Sequence, residues 1–77
     1  MELHLGGHLN WYEPQKRAWV EVPLAAAVPL ASLLEALHVP AGEVAIVTVN
    51  GRLTPLESAV VADGDRVEIY PPIGGGT

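Results

Sequence analysis

Residues 29–40 read Pro29-Leu30-Ala31-Ser32-Leu33-Leu34-Glu35-Ala36-Leu37-His38-Val39-Pro40. Leu30, Leu33, Leu34 and Leu37 fall at i, i+3, i+4 and i+7, a spacing that puts four side chains on one face of an α-helix. Pro29 suits the first turn, where a missing N–H costs no hydrogen bond. Pro40 stops the helix, and His38 falls where a left-handed cap residue is expected. The segment predicts one short amphipathic helix whose leucine face must be covered by another element.

The flanking sequence supplies that cover. Leu3 and Leu5 alternate with Glu2 and His4 as an opening strand, which Gly6-Gly7 interrupts or bulges. Residues 10–17 read as a hairpin loop, and Trp19-Val20-Glu21-Val22 returns as a second strand. After the helix, Ala45-Ile46-Val47-Thr48-Val49 is rich in β-formers and runs into Asn50-Gly51, a tight-turn signal. Arg52-Leu53 begins a short return strand, and Pro55 to Ser58 reads as a single helical turn. Asp63-Gly64-Asp65 marks another turn before Arg66-Val67-Glu68-Ile69-Tyr70, a final strand of alternating polarity. Pro71, with no N–H, ends the ladder. A helix between these strands must pack across one side of a mixed sheet of four to five strands. The class is α+β, and order and size match a β-grasp, ubiquitin-like fold. Residues 1–72 form the expected domain, and 73–77 a flexible tail carrying the glycines.

Length and charge narrow the function. A chain of 77 residues buries only about 60–65% of its unfolded surface, so one modest core is the limit. A hydrophobic share of 49% is enough to fill that core and excludes a disordered chain. Cysteine is absent, which removes disulfides, a thiolate nucleophile and cysteine-based zinc sites. The net charge is −5, and Lys16, Arg17, Arg52 and Arg66 are scattered. No concentrated cationic surface exists for nucleic acid, whereas a basic protein surface would suit an acidic domain. The longest apolar stretch, Val22 to Leu34, is broken by Pro23, Pro29 and Ser32 and falls short of the roughly 20 residues that span a bilayer. The N-terminus lacks the pattern of a signal peptide, so a cytoplasmic, membrane-free protein is expected.

The stretch VNGRLTPLESAVVADGDRVEIYPPIGGG, Val49 to Gly76, resembles the C-terminal half of the small ubiquitin-like sulfur carriers of the ThiS/MoaD family. The shared marks are the Asn50-Gly51 turn, Asp63-Gly64-Asp65 before the last strand, and terminal glycines. Ser32 to Val39 also fits the family helix, so the resemblance covers nearly the whole chain. The step Tyr70-Pro71-Pro72-Ile73 is more similar to the molybdopterin (or tungstopterin) branch than to the thiamine branch. The resemblance implies a carrier, not an enzyme, that binds no cofactor itself. An ubiquitin-activating-type adenylyltransferase uses ATP to adenylate its C-terminal glycine, sulfur replaces AMP, and the thiocarboxylate serves a sulfur-accepting synthase subunit.

The family position implies that Leu53 and Tyr70 lie on the sheet face that meets the activating enzyme. Alternation agrees for Tyr70, which should point away from Val67 and Ile69. For Leu53, ordinary core packing is the alternative. Pro71 and Pro72 stiffen the exit from the sheet. Ile73, Gly74 and Gly75 complete the partner-binding segment, and glycines leave no side chain to block a narrow channel. From Tyr70 to Gly76 the extended chain reaches about 20 Å. Thr77 departs from the family, whose mature members end in glycine. The modified residue is therefore expected to be Gly76 after a processing peptidase removes Thr77, otherwise Gly75.

The remaining candidates have plainer readings. His4 and His8, in one continuous strand, would lie about 13 Å apart, too far for one metal ion. Asp63 and Asp65 flank Gly64 as turn formers rather than as paired acid and base. No helix follows Gly74–Gly76 to make a phosphate loop. Trp11, Tyr12 and Trp19 read as hairpin packing, with a binding patch as the alternative. The competing function is a β-grasp interaction module that is never activated. The terminal glycines favour the carrier over it.

Overall fold

The computed structural model describes residues 1–73. Its main sheet has five strands in the order β2-β1-β7-β4-β5. These are β1 (Glu2–Leu5), β2 (Trp19–Glu21), β4 (Ile46–Val49), β5 (Arg52–Leu53) and β7 (Arg66–Tyr70), with α1 (Leu30–Ala36) packed over one side. β1 runs parallel to β7, and every other neighbouring pair in this sheet is antiparallel. The first and last strands of the domain therefore lie side by side at its centre, which is the mixed sheet of a β-grasp fold.

The core follows from the alternation. Leu3 and Leu5 of β1, Val47 of β4, and Val67 and Ile69 of β7 point inward and are buried. They meet Leu30 and Leu34 of α1, both fully buried, while Leu33 and Leu37 pack against the core's margin. Complete burial of an aliphatic side chain contributes about 1.5–3 kcal/mol, so the two inner leucines anchor the helix to the sheet.

The helix ends as its sequence indicated. His38 has φ 62°, its N–H donates to Glu35 O at 3.1 Å, and the Val39 N–H donates to Leu34 O at 2.9 Å. That pair of bonds is a Schellman cap, with histidine where glycine is usual. The Asn50-Gly51 turn joins β4 to β5 with both residues at positive φ, 52° and 83°, as a type I′ hairpin turn requires.

Four local expectations are corrected. β1 stops at Leu5, so Gly6-Gly7 interrupts the strand rather than bulging it, and residues 7–12 form a 3-10 helix where the hairpin loop was expected from Asn10. Leu9, fully buried, draws this segment down onto the core. The second strand ends at Glu21 rather than Val22. Pro29 lies just outside α1, because it pairs with Val60 in a second, two-stranded sheet of β3 (Val28–Pro29) and β6 (Val60–Val61). Neither that sheet nor the 3-10 turn Ala41–Glu43 was anticipated: two-residue strands carry no periodic signal. The third strand begins at Ile46 rather than Ala45, although the Ala45 N–H still donates to Tyr70 O at 2.8 Å.

Candidate functional site

Among the described residues, no helix packs over the face of the sheet opposite α1. Strand registers place Trp19 beside His4, His4 beside Glu68, Glu68 beside Thr48, and Thr48 beside Leu53. The five side chains thus cross all five strands in one row. One step further along the strands, Tyr70 pairs with Ile46. Because side chains alternate faces, buried Leu3 and Leu5 turn His4 away from the core, and buried Val67 and Ile69 do the same for Glu68.

Leu53 is 76% exposed; the core alternative for it is excluded by geometry. Trp19 is 42% exposed. Its ring stacks on His4 with centroids 4.5 Å apart, and the Arg66 guanidinium lies 4.7 Å from the Trp19 ring. Beyond His4 stands Tyr70, edge-on at 5.7 Å. Arg66, Trp19, His4 and Tyr70 therefore make a continuous aromatic stack with a cation at one end. Trp19 is not hairpin filling. The signal that could have shown it is alternation: Val20 packs against the core, so Trp19 beside it must face the other way. Tyr12 does pack on the core, whereas Trp11 is 68% exposed.

Polar groups stiffen the middle of the row. Thr48 Oγ1 donates to Glu68 Oε1 at 2.8 Å. The Tyr70 hydroxyl is held above its ordinary pKa, first by burial and then by the negative charge of Glu68. It stays a neutral donor at physiological pH. At the end of β7, Pro71 is half-buried, while Pro72 is exposed and Ile73 is 86% exposed. An apolar face and an apolar exit segment thus adjoin through Tyr70. The expected positions Gly74, Gly75, Gly76 and Thr77, and with them most of the expected tail, lie outside the described residues.

The other candidates separate. His4 belongs to the aromatic stack, whereas His8 Nε2 lies 2.8 Å from Glu43 Oε1, so the two histidines are not in one strand. Tyr12 donates from its hydroxyl to Glu43 Oε2 at 2.7 Å. Glu43 is lowered from its ordinary value by these bonds, the one from His8 first. Asp65 accepts from Asn50 Nδ2 at 3.0 Å and from the Ala62 N–H at 2.8 Å, and those bonds lower its pKa in that order. Such saturation belongs to a turn former, not to a general base. Among the described residues, no group of three or more histidine, aspartate and glutamate side chains could hold a metal ion. No described helix is long and apolar enough to cross a membrane. A hollow of about 220 Å³ lies between Leu3, Leu5, Val20, Leu37 and Val39. Its one carboxylate, Glu13, is fully engaged by Arg17 and nearby backbone N–H groups.

Comparison with known proteins agrees with this geometry. The sequence model of the Mut7-C ubiquitin family matches residues 2–74. The crystal structure of thiamine biosynthesis protein ThiS from Geobacter metallireducens superposes with a TM-score of 0.59 at 30% identity, covering 99% of this chain and 100% of that one. No curated protein matches.

Proposed function

The chain belongs to the Mut7-C ubiquitin family, within the ubiquitin-like ThiS/MoaD carriers, and from that premise we propose that it carries sulfur as a C-terminal thiocarboxylate. The observation that carries this reading is the sheet face of Trp19, His4, Tyr70 and Leu53, continuous with an exposed apolar exit segment. A docking face beside a chain that leaves the sheet lets one surface supply affinity while the terminus enters another protein's active site. Ordering such a segment costs roughly 1–2 kcal/mol per residue. The face must offset that cost.

The chemistry would run on the partner. A carboxylate is a poor acyl donor until it gains a leaving group. The terminal carboxylate attacks the α-phosphorus of ATP and pyrophosphate departs, leaving an acyl-adenylate. A persulfide sulfur then displaces AMP, and reductive cleavage of the sulfur–sulfur bond by a thiol frees the thiocarboxylate. The acyl carbon belongs to Gly76 once a peptidase removes Thr77, or to Gly75 where trimming removes Gly76 as well. A β-branched threonine at that carbon would crowd the in-line approach. The partners are an adenylyltransferase and a sulfur-accepting synthase.

Two acceptor classes have support. The ThiS relative speaks for thiamine-type sulfur transfer; the Tyr70-Pro71-Pro72-Ile73 step speaks for the molybdopterin type. The test is intact mass after incubation with the cognate adenylyltransferase, ATP and a sulfur donor, using the full chain and a version ending at Gly76. Exchange of one oxygen for sulfur in the shortened chain supports the reading. If neither chain is modified while both bind the enzyme, the domain is a non-activated interaction module. Mixing the thiocarboxylated product with each class of acceptor then identifies the pathway.

A further inference from the structure

Of the five described glycines, only Gly6 and Gly7 have neighbours where a Cβ would stand. At Gly6 it would meet Tyr70 Cδ1 at 2.3 Å, Tyr70 Cε1 at 2.7 Å and Ile69 O at 2.9 Å. At Gly7, φ +54°, it would meet Pro71 Cγ at 2.6 Å and Cδ at 2.9 Å. Gly42, Gly51 and Gly64 meet nothing within 4 Å. Both missing side chains therefore make room for the two residues at which the chain leaves the sheet.

The backbone completes the arrangement. The Gly6 N–H donates to Ile69 O at 2.8 Å, carrying the pairing of β1 with β7 one residue beyond Leu5. From the opposite side the Ala45 N–H donates to Tyr70 O at 2.8 Å. Tyr70 is thus held between β1 and the start of β4, with its ring against Gly6 and edge-on to His4. Pro71, its φ fixed by the ring, rests on Gly7. Past it, Pro72 and Ile73 are exposed.

We propose that Gly6-Gly7 is a seat that fixes the direction in which the C-terminal segment leaves the domain, and so positions the terminus relative to the docking face. Its relevance to catalysis rests on the carrier reading above. Gly6 and Gly7 are positioning residues: they act through Tyr70 and Pro71 and touch no reacting atom. Tyr70 serves both the face and the seat, so docking and delivery share one rigid reference. If a partner's channel holds a six-residue segment extended, a root swung by about 20° displaces its tip by roughly 7 Å. Near-attack geometry tolerates about 1 Å.

The test separates the added Cβ from the positive φ. Asparagine tolerates positive φ but carries a Cβ. Gly7→Asn therefore fills the seat, while Gly64→Asn, at φ +93° with open space around it, makes the same change away from it. Residual dipolar couplings of the Ile73 amide report the exit direction in the free protein. Pyrophosphate exchange with the cognate adenylyltransferase, beside a binding titration, reports delivery. Gly7→Asn is expected to shift the Ile73 couplings and to lower adenylation kcat by about tenfold, with Kd changed by less than about twofold. Gly64→Asn should leave all three near wild type. Unchanged Ile73 couplings in Gly7→Asn overturn the seat. If Gly7→Asn fails to fold, Pro71→Ala alone must alter the Ile73 couplings, and the proposal falls if it does not. Absence of exchange by the wild-type chain, with couplings still shifted in Gly7→Asn, keeps the seat and removes the carrier reading instead.

Discussion

Glu13 and Arg17 are joined through two guanidinium bonds to one carboxylate oxygen, from Nη2 at 2.7 Å and Nε at 3.2 Å. The other oxygen accepts the backbone N–H groups of Gln15 at 3.0 Å and Arg17 at 2.6 Å. One buried side chain thus organises the whole return from the 3-10 helix to β2.

That engagement makes stability depend on pH. The Arg17 side chain first, then the Arg17 and Gln15 backbone N–H groups, lower the Glu13 carboxyl from 4.5 to about 2. A carboxyl lowered in the folded state contributes fully above its unfolded pKa and is lost as pH falls through the folded one. Tm should therefore fall as pH drops from about 4.5 towards 2, with Glu13 contributing to the slope. Glu13→Gln should lower Tm at neutral pH and flatten the acid slope. An unchanged slope in the variant would remove Glu13 as its source.

The histidine cap predicts an easy stabilisation. His38 is exposed and holds φ 62°, a region where a side chain is strained and glycine is not. His38→Gly should stabilise the domain by about 1 kcal/mol, and His38→Val should destabilise it by at least as much. Urea unfolding of the three proteins measures both signs.

The two inner helix leucines should dominate the core. Leu34→Ala removes a fully buried side chain and should cost about 2–5 kcal/mol. Leu33→Ala, at the core's margin, should cost less than half as much. Equal losses in chemical denaturation would mean that α1 presents a different face.

Docking on the open face can be read from Trp19. Trp11→Phe leaves Trp19 as the sole tryptophan, and its emission should change on binding the adenylyltransferase. Trp19→Phe, which leaves Trp11, should report little. Leu53→Asp, at an exposed position, should alter stability by no more than about 0.5 kcal/mol. Placing an unpaired charge in the contact should weaken binding by about tenfold or more. Tyr70→Asp is a less selective probe, because the Tyr70 ring also rests on Gly6. Normal binding by Leu53→Asp would move the docking face elsewhere.

Periodicity and turn chemistry are local properties, and they determined most of this protein. Leucine spacing in residues 30–37, alternation in Arg66–Tyr70, and the Asn50-Gly51 and Asp63-Gly64-Asp65 turns specify the helix, the central strand and the hairpin without tertiary knowledge, because 3.6- and 2-residue periods decide which face is apolar. They also determined that Tyr70 opposes Ile69. Only the tertiary structure decided what depends on register between distant strands. Trp19, His4, Glu68, Thr48 and Leu53 come from five strands, and their alignment in one row exists only once those strands pair. The pairing of Val28-Pro29 with Val60-Val61 is too short to show in a sequence. Gly6 and Gly7 look like strand breakers until residues 70 and 71 arrive against them. A local pattern records which way a side chain points; what it meets there is set by other segments, for Gly6 and Gly7 by residues 64 positions away.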